Sequence, residues 1–428
     1  MKLQLNIVSI RDVQMAEETT IRAHVLHINR EELRGLLLQD ARFADIGIEL
    51  ARPGEKCRIV QVVDVIEPRA KADGAGENFP GIVGGQVTAG QGITFVLKGV
   101  AVVMSDNREI RELTTSRDPN GEIIEMYGPG AQIGAYGMTC NVVLLPTPAA
   151  GIGAAEYLTA LKIAGVRTAA YLGSAAKGII PDDTKVFELP PLLSQAGQSR
   201  LPKVAYIFQL FTHQFEPIPA EPVLYGKRVD GIAPCLIHPN EVLDGAITSP
   251  IPALNLQTYQ IQNHAMIEEL YQRHGKDLWF VGVVLATAPN NMPEVERVSH
   301  QTASLVANVL GVDGVVLTKT GGGAPELTMA RTAQLCEQMG IKTVVALLHM
   351  GVDKSGAATI FNMPEVNAIV SMGEPWMELQ LPAVDRVIGR AGLTPEGPAV
   401  TDAMVRPIRW IKGSQCQLGS SKLRAVSY

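Results

Sequence analysis

The chain has little cysteine and no cysteine pattern. Its five cysteines, Cys57, Cys140, Cys235, Cys336 and Cys416, are scattered over 428 residues without CxxC or CxxH spacing. That excludes a disulfide framework and a thiolate zinc site, and fits reduced thiols. Aromatic residues are only 5% of the total, and no uninterrupted apolar run reaches the roughly 18 residues of a membrane span. The opening MKLQLNIVSIRDVQMAEETT alternates apolar and polar residues and then turns charged, so no signal peptide is expected and a cytoplasmic location is. Positive charge is also short: 37 Lys and Arg face 43 Asp and Glu, and the net charge of −6 argues against a nucleic-acid surface. None of the eight histidines has HxxxH or HExxH spacing, and GxSxG is absent. No metal is therefore predicted from local motifs; a metal site would have to be assembled from distant residues such as His213, His238 and Glu241.

What is present reads as globular. An apolar fraction of 46% with 19% charged residues supports packed cores, and the length predicts two or three domains. Residues 1–146 read as a β-rich domain, with strand-length runs in LQLNIVSI, CRIVQVVDVIE, ITFVLKGVAVVM and CNVVLLP. The Gly-rich segment 69–92 lacks phosphate-binding spacing and predicts a long hairpin connection; its Arg69, Lys71 and Asp73 either meet a carboxylate or belong to a solvated turn. Residues 147–237 read as an α/β domain. In it, AAEYLTALKIAG is expected to be a helix capped by Gly165, VRTAAYLGSAAKG strand and turn, and PKVAYIFQLFTHQFEPIP a buried strand with His213 near its end.

Residues 265–428 read as a C-terminal α/β domain with a tail. MIEELYQRHG, PEVERVSHQTASLVANVLG and PELTMARTAQLCEQMG carry helical spacing, LWFVGVVLAT, DGVVLT and IKTVVALLHM are β-branched strands, and VDRVIGRAG is helix-like. The basic tail is expected to wrap a neighbour or to fray. This βαβαβ order predicts a doubly wound, mostly parallel sheet, Rossmann- or flavodoxin-like. Its ligand-binding rim would carry Thr287 to Asn290, Thr320 to Gly323 and His349 to Asp353. There Gly321, Gly322 and Gly323, before Pro325 and Glu326, either open a helix N-terminus to an anion or form a plain tight turn.

Between these regions lies a central polar loop, residues 238–264, HPNEVLDGAITSPIPALNLQTYQIQNH. It gathers His238, Asn240, Glu241, Asp244, Asn255, Tyr259, Gln262, Asn263 and His264, while Pro239, Pro250 and Pro252 disfavour a long helix or central strand. Such loops are either solvated crossovers or functional sites.

Together with GEKCRIVQVVDVIEPRAKADGAGENFPGIVGG, VLKGVAVV, YGPGA, HPNEVLDGA, QNH and ELYQRHGKDLWFVGVV, this stretch resembles the large subunit of substrate-binding component B in glycine, sarcosine and betaine reductases. Proline reductase has a related subunit. The resemblance implies a proprotein in which a cysteine of this region becomes an N-terminal pyruvoyl group that captures an amine. A partner cysteine or selenocysteine then attacks the α-carbon. Here the chain departs from the family, because ITSPIPALNL after DGA holds no cysteine. The expectation is therefore an unprocessed chain without a pyruvoyl cofactor, with the Thr248–Ser249 bond the formal alternative for cleavage.

Carried over residue by residue, the resemblance implies that Glu241 or Asp244 holds a substrate ammonium or acts as general base. Tyr259 and His264 would be proton donors to a leaving amine, and His238, Asn240, Gln262 and Asn263 would line the substrate; His213, beside Gln209, Gln214 and Glu216 at a strand end, is by its position either a ligand or substrate contact or a hydrogen-bonded buffer at a sheet edge. Three readings follow. The first is a component-B-like subunit for reductive carbon–nitrogen cleavage, paired with a subunit carrying a redox-active Cys or selenocysteine, in a homo- or hetero-oligomer. The second is a non-catalytic scaffold, and the third a non-reductive lyase or transferase.

Overall fold

The computed structural model describes residues 1–107, 121–192, 200–210, 223–250, 256–348, 359–390 and 399–419. The fold is mixed α/β, with several mixed sheets and one six-stranded, mostly parallel sheet.

Two of the long apolar runs each make two strands instead of one. ITFVLKGVAVVM breaks at Gly99, whose φ of +91° leaves a Cβ only 2.4 Å from the Ile10 carbonyl oxygen. Gly92–Lys98 therefore joins the sheet of Lys2–Ser9, and Val100–Ser105 joins that of Cys140–Pro148. CRIVQVVDVIE breaks at Gln61, with φ +57°, into Cys57–Ile59 and Val62–Ile66. The Gly-rich segment is a hairpin connection: Arg69–Lys71 pairs antiparallel with Gly92–Lys98.

One helical expectation is overturned outright. The helix predicted to stop at Gly165 runs from Ala154 to Ser174 and absorbs VRTAAYLG, expected to be strand. Thirteen of its 21 residues are buried, and its alanine-rich composition favours helix over strand. Gly165 caps nothing; a Cβ there would sit 2.0 Å from the Met104 sulfur. Gly173 serves the same purpose two turns later, where a Cβ would sit 2.4 Å from the Arg69 backbone carbon. The glycines let the helix lie directly on the Val100–Ser105 and Arg69–Lys71 strands. A second correction concerns VDRVIGRAG, whose pattern is helix-like: Arg386–Ile388 is a strand, parallel to Cys57–Ile59. The open edge of that short strand takes up the Val387 and Ile388 backbone, and Gly389, at φ +97°, turns the chain away beside Val60.

The six-stranded sheet runs Cys235–Ile237, Trp279–Thr287, Lys203–Leu210, Gly314–Thr318, Lys342–Leu347, Ala368–Ser371, and only the first strand is antiparallel. Helices Met292–Ser304 and Ala324–Gln338 cover one face through Val298, Ala303, Met329 and Ala333. Helix Ala265–Arg273 lies on the other, with Ile267 and Leu270 against Phe280, Val283 and Leu285. From Lys203–Leu210 the chain moves to one neighbour, Trp279–Thr287, then crosses back to the other, Gly314–Thr318. The order reverses between those two neighbours of Lys203–Leu210, which is where sheets of this kind open a crevice at the strands' carboxyl ends.

The close helix–sheet contact is testable. Gly173→Ala should cost about 1–3 kcal/mol in chemical denaturation, because its Cβ meets backbone that cannot rotate away. An unchanged unfolding midpoint would contradict that packing.

Candidate functional site: the ion-paired junction of the polar stretch

The central stretch is folded inward. His238, Asn240, Asp244, Gln262 and His264 are all buried, and so is Tyr259. Burial of so many polar groups demands partners, and the hairpin strand Arg69–Lys71 and its preceding turn supply them for Asp244 and Gln262.

Glu67 is the hub. Its Oε2 accepts from Arg69 Nε at 2.9 Å, Arg69 Nη2 at 2.6 Å and Asn263 Nδ2 at 3.0 Å, and its Oε1 from Lys98 Nζ at 3.2 Å. Burial would push the carboxyl up, but Lys98 and Arg69 reverse this and hold it at about 2. Gln262 clasps the backbone of the same residue: its Oε1 accepts from Glu67 N at 2.9 Å and its Nε2 donates to Glu67 O at 3.1 Å. Arg69 also donates to the carbonyls of Leu243 at 2.6 Å and Gln262 at 3.0 Å.

Asp244 is the second anchor. It accepts from the Lys71 ammonium, from Gly90 N at 2.8 Å and from Thr94 Oγ1 at 2.7 Å. The carboxylate borders a cavity lined by Arg69, Lys71, Glu77, Asn78, Phe79, Thr94, Gly245 and Gln262, of about 20 Å³. A space of that size holds one water molecule.

The other predicted residues are placed partly by local caps and partly by distant elements. His238 caps the short helix Pro239–Leu243, its Nδ1 accepting from Asn240 N at 3.2 Å, while Glu241 Oε1 accepts from His238 N at 2.9 Å. The Tyr225 hydroxyl donates to the other Glu241 oxygen. Burial, with the N-terminal ammonium nearby, lowers the His238 imidazole to about 4. Asn240 donates to the carbonyls of Gly90 and Phe187, each at 3.1 Å, and accepts from the Tyr271 hydroxyl. Tyr259 meets Tyr136 edge-on, with ring centres 5.4 Å apart, under the Lys98 ammonium. Burial, and then Glu67, push its phenol far above the ordinary range.

His264 stands apart from Asp244. Its Nδ1 accepts from Ile267 N at 3.5 Å, starting helix Ala265–Arg273, and its Nε2 lies 3.2 Å from the Tyr206 hydroxyl, which continues to Thr318. Its ring meets Tyr206 and Phe208 edge-on, and burial lowers it to about 3. The structure thus joins Asp244, Tyr259, Gln262 and Asn263 around the Glu67–Arg69 hub. It seats His238, Asn240 and Glu241 in one cap, and sets His264 against the six-stranded sheet. His213 lies outside the described residues, as do His349 to Asp353.

Four residues that composition did not single out carry much of this arrangement: Asp64, Glu67, Lys98 and Tyr206. A signal for two of them existed, because Asp64 and Glu67 interrupt the apolar run VVDVIE and a charge inside a buried strand requires a partner. Among the described residues, no group of three or more His, Cys, Asp or Glu side chains is arranged to hold a metal ion.

The resemblance implies a pyruvoyl group made from a residue of this stretch. Between Ile247 and Leu256 the only hydroxyl-bearing residues are Thr248 and Ser249, and there is no thiol. Ser249 Oγ donates to Leu256 O at 2.9 Å and Pro250 O at 3.2 Å, and its amide donates to Thr258 Oγ1 at 2.9 Å. That threonine hydroxyl in turn donates to Asp64 Oδ2 at 2.6 Å. Among the described residues the Ser249 hydroxyl donates to carbonyls and not to a base, which does not fit the activated hydroxyl that a pyruvoyl precursor needs.

A mixed α/β chain that folds a proline-rich polar stretch onto a hairpin through buried ion pairs is the class this architecture defines. The chain belongs to the glycine/sarcosine/betaine reductase component B subunit family, whose pattern matches residues 1–400. It is 34% identical, over the full length of both chains, to the glycine reductase complex component B subunits alpha and beta of Acetoanaerobium sticklandii. It is 36% identical to the sarcosine reductase complex component B subunit alpha of Peptoclostridium acidaminophilum, covering 91% of this chain and 89% of that one. A more distant relative is the D-proline reductase proprotein of A. sticklandii, 24% identical over 80% of this chain and 54% of that protein. No solved structure matches the chain.

Two outcomes follow from the junction. Glu67→Gln leaves the Arg69 guanidinium underpaired in the interior and should cost about 3–5 kcal/mol in equilibrium unfolding. In the native protein Glu67 ionises below its ordinary 4.5, so its contribution is complete above about pH 4.5 and lost as pH falls towards 2. The mutant should therefore show a flatter acid limb. His264, lowered from 6.5 to about 3, contributes fully above pH 6.5 and progressively less as pH falls towards 3. Its ring resonances should not titrate between pH 8 and about 4, and a midpoint near 6.5 would show the ring to be solvated.

Proposed function

We propose that the chain is the large subunit of a component-B-like complex that binds an amine or N-substituted amino-acid-like substrate for reductive carbon–nitrogen cleavage, without pyruvoyl self-processing. The observation that carries this reading is a match of 34% identity along the full length of a glycine reductase component B chain, combined with a stretch that holds no thiol and whose Ser249 hydroxyl donates to carbonyls. A thiol- or selenol-bearing partner subunit supplies the nucleophile: its sulfur or selenium bonds to the α-carbon as the carbon–nitrogen electron pair leaves with the amine. A substrate with a good nitrogen leaving group, such as a quaternary ammonium, needs no covalent capture.

Asp244 takes a substrate ammonium by exchange with the Lys71 ammonium, since its carboxylate already faces a cavity. Glu241 supports it from the same cap, and Tyr259 and His264 hold proton positions around the stretch. The layout inferred is an N-terminal β-rich region followed by a doubly wound α/β region, working in the cytoplasm; among the described residues no helix is long and apolar enough to cross a membrane. One observation favours the scaffold alternative: a cavity of about 20 Å³ beside Asp244 admits no amino acid as it stands.

Intact-mass measurement of the purified chain should give one species of 45.9 kDa. Two fragments, the smaller bearing a hydroxylamine-reactive carbonyl, would restore self-processing. Turnover by the isolated chain, with no thiol-bearing subunit added, would point to the lyase reading instead.

A further inference from the structure

The cavity beside Asp244 has one wall that is only lightly anchored. Residues 76–87 run between the paired strands Arg69–Lys71 and Gly92–Lys98 without joining a sheet. From this segment Glu77, Asn78 and Phe79 complete the cavity that Asp244, Lys71, Arg69 and Gln262 line from the other side. Gly76 lies on the Lys71 side chain, where a Cβ would stand 3.5 Å from Cε. The segment therefore covers the Lys71–Asp244 ion pair.

The centre of the segment is closed on itself. Gly81 N donates to Gly84 O, Ile82 N and Val83 N to Phe79 O, and Gly84 N to Asn78 O; among the described residues, every backbone–backbone hydrogen bond of residues 76–87 stays inside the segment. Two side-chain bonds tie it outward among those residues. Asn78 Oδ1 accepts from Lys71 N at 2.7 Å, and Gln86 Nε2 donates to Tyr225 O at 3.0 Å. Glu77, Val83, Gly85, Gln86 and Val87 are exposed. At Gly74 and Gly85, one on each side, a Cβ would meet nothing within 4 Å, so the backbone has room to rotate there. A segment with its own hydrogen bonds and few outward ties opens without the rest of the fold.

Phe79 holds the segment shut against its own backbone. Its ring packs on Gly245, where a Cβ would stand 3.3 Å from Cδ1, and the residue is 4% exposed. With the ring so placed, the Phe79 backbone has φ +40°. Tyr225, which receives Gln86 and whose carbonyl abuts Gly81, has φ +47°. Bulky side chains rarely adopt this region, and such strain persists only where the surroundings impose it. Ring burial favours the closed form and release of strain the open one, so the two forms lie closer in free energy than burial alone would set them.

We propose that residues 76–87 are a lid over Asp244: the segment swings out about Gly74 and Gly85, lifts the Phe79 ring off Gly245 and gives a ligand access to the Lys71–Asp244 pair. This rests on Asp244 as the ligand-binding group of the proposed function. It also accounts for the size of the closed cavity, because a space of about 20 Å³ is what remains while the ring occupies the entrance. Closure over a bound ligand would exclude water from the ion pair, as loops that cover a polar site do.

The test is acetylation of the full chain by an amine-reactive ester, read lysine by lysine with peptide mass spectrometry. Lys71 is buried, and so are Lys162 and Lys319, neither of which lines the cavity. Lys71 should react about tenfold faster than those two, because it alone is uncovered by the lid. Phe79→Ala, which removes the ring, should speed Lys71 about tenfold or more, and Gln86→Ala, which removes one outward tie, about fivefold. Lys162 and Lys319 should not change in either variant. Should Phe79→Ala fail to fold, as circular dichroism would show, Gln86→Ala decides alone, since its side chain is exposed. Lys71 as inert as Lys162 and Lys319, labelled only in step with them, or unaltered by both variants overturns the lid. The reductase-subunit reading would survive that result, since it fails on intact mass and partner dependence.

Discussion

A carboxylate removed from water has to find opposite charge or lose its own, and Glu67 is the place where this chain meets that demand. The Arg69 guanidinium and Lys98 ammonium keep it ionised at full burial, and the same guanidinium reaches the carbonyls of Leu243 and Gln262. One ion pair therefore fastens both ends of the polar stretch to a hairpin more than 170 residues earlier. Asp244 repeats the device with Lys71, and Asn240 adds its amide to the Gly90 carbonyl. Buried pairs of this kind contribute little net stability against an apolar substitute, yet removing one partner is costly. Their effect here is registration: they leave the stretch one way to lie.

Two buried polar centres have opposite states of satisfaction. At the junction nearly every donor and acceptor is matched within the chain, and the space left is water-sized. At the end of the parallel sheet, among the described residues, the Gln209 amide oxygen, the Thr320 hydroxyl and one Glu326 oxygen remain unmatched. His264 and Tyr206 lie between the two, linking the end of the polar stretch to Thr318 on the six-stranded sheet.

Much of the fold is legible in local pattern, and the exceptions share a cause. Strands such as Trp279–Thr287 and Lys342–Leu347 and helices such as Ala324–Gln338 follow patterning that the packed structure keeps. The pattern misleads where a residue's purpose is tertiary. Gly165 looks like a helix cap but admits the Met104 sulfur, and Gly99 looks like a strand residue but turns the chain between sheets. The HPNEVLDGA stretch has the composition of a solvated loop, and Arg69 and Lys71 hold it in the interior instead.

Alternation, helical period and motif order determined most of the strands and helices and the family, because these depend on neighbours in the chain. Which charges would meet was left to the tertiary structure. Glu67 and Asn263 are 196 residues apart, Lys71 and Asp244 are 173 apart, and the pairing energy of a buried charge acts through space with no imprint on local sequence.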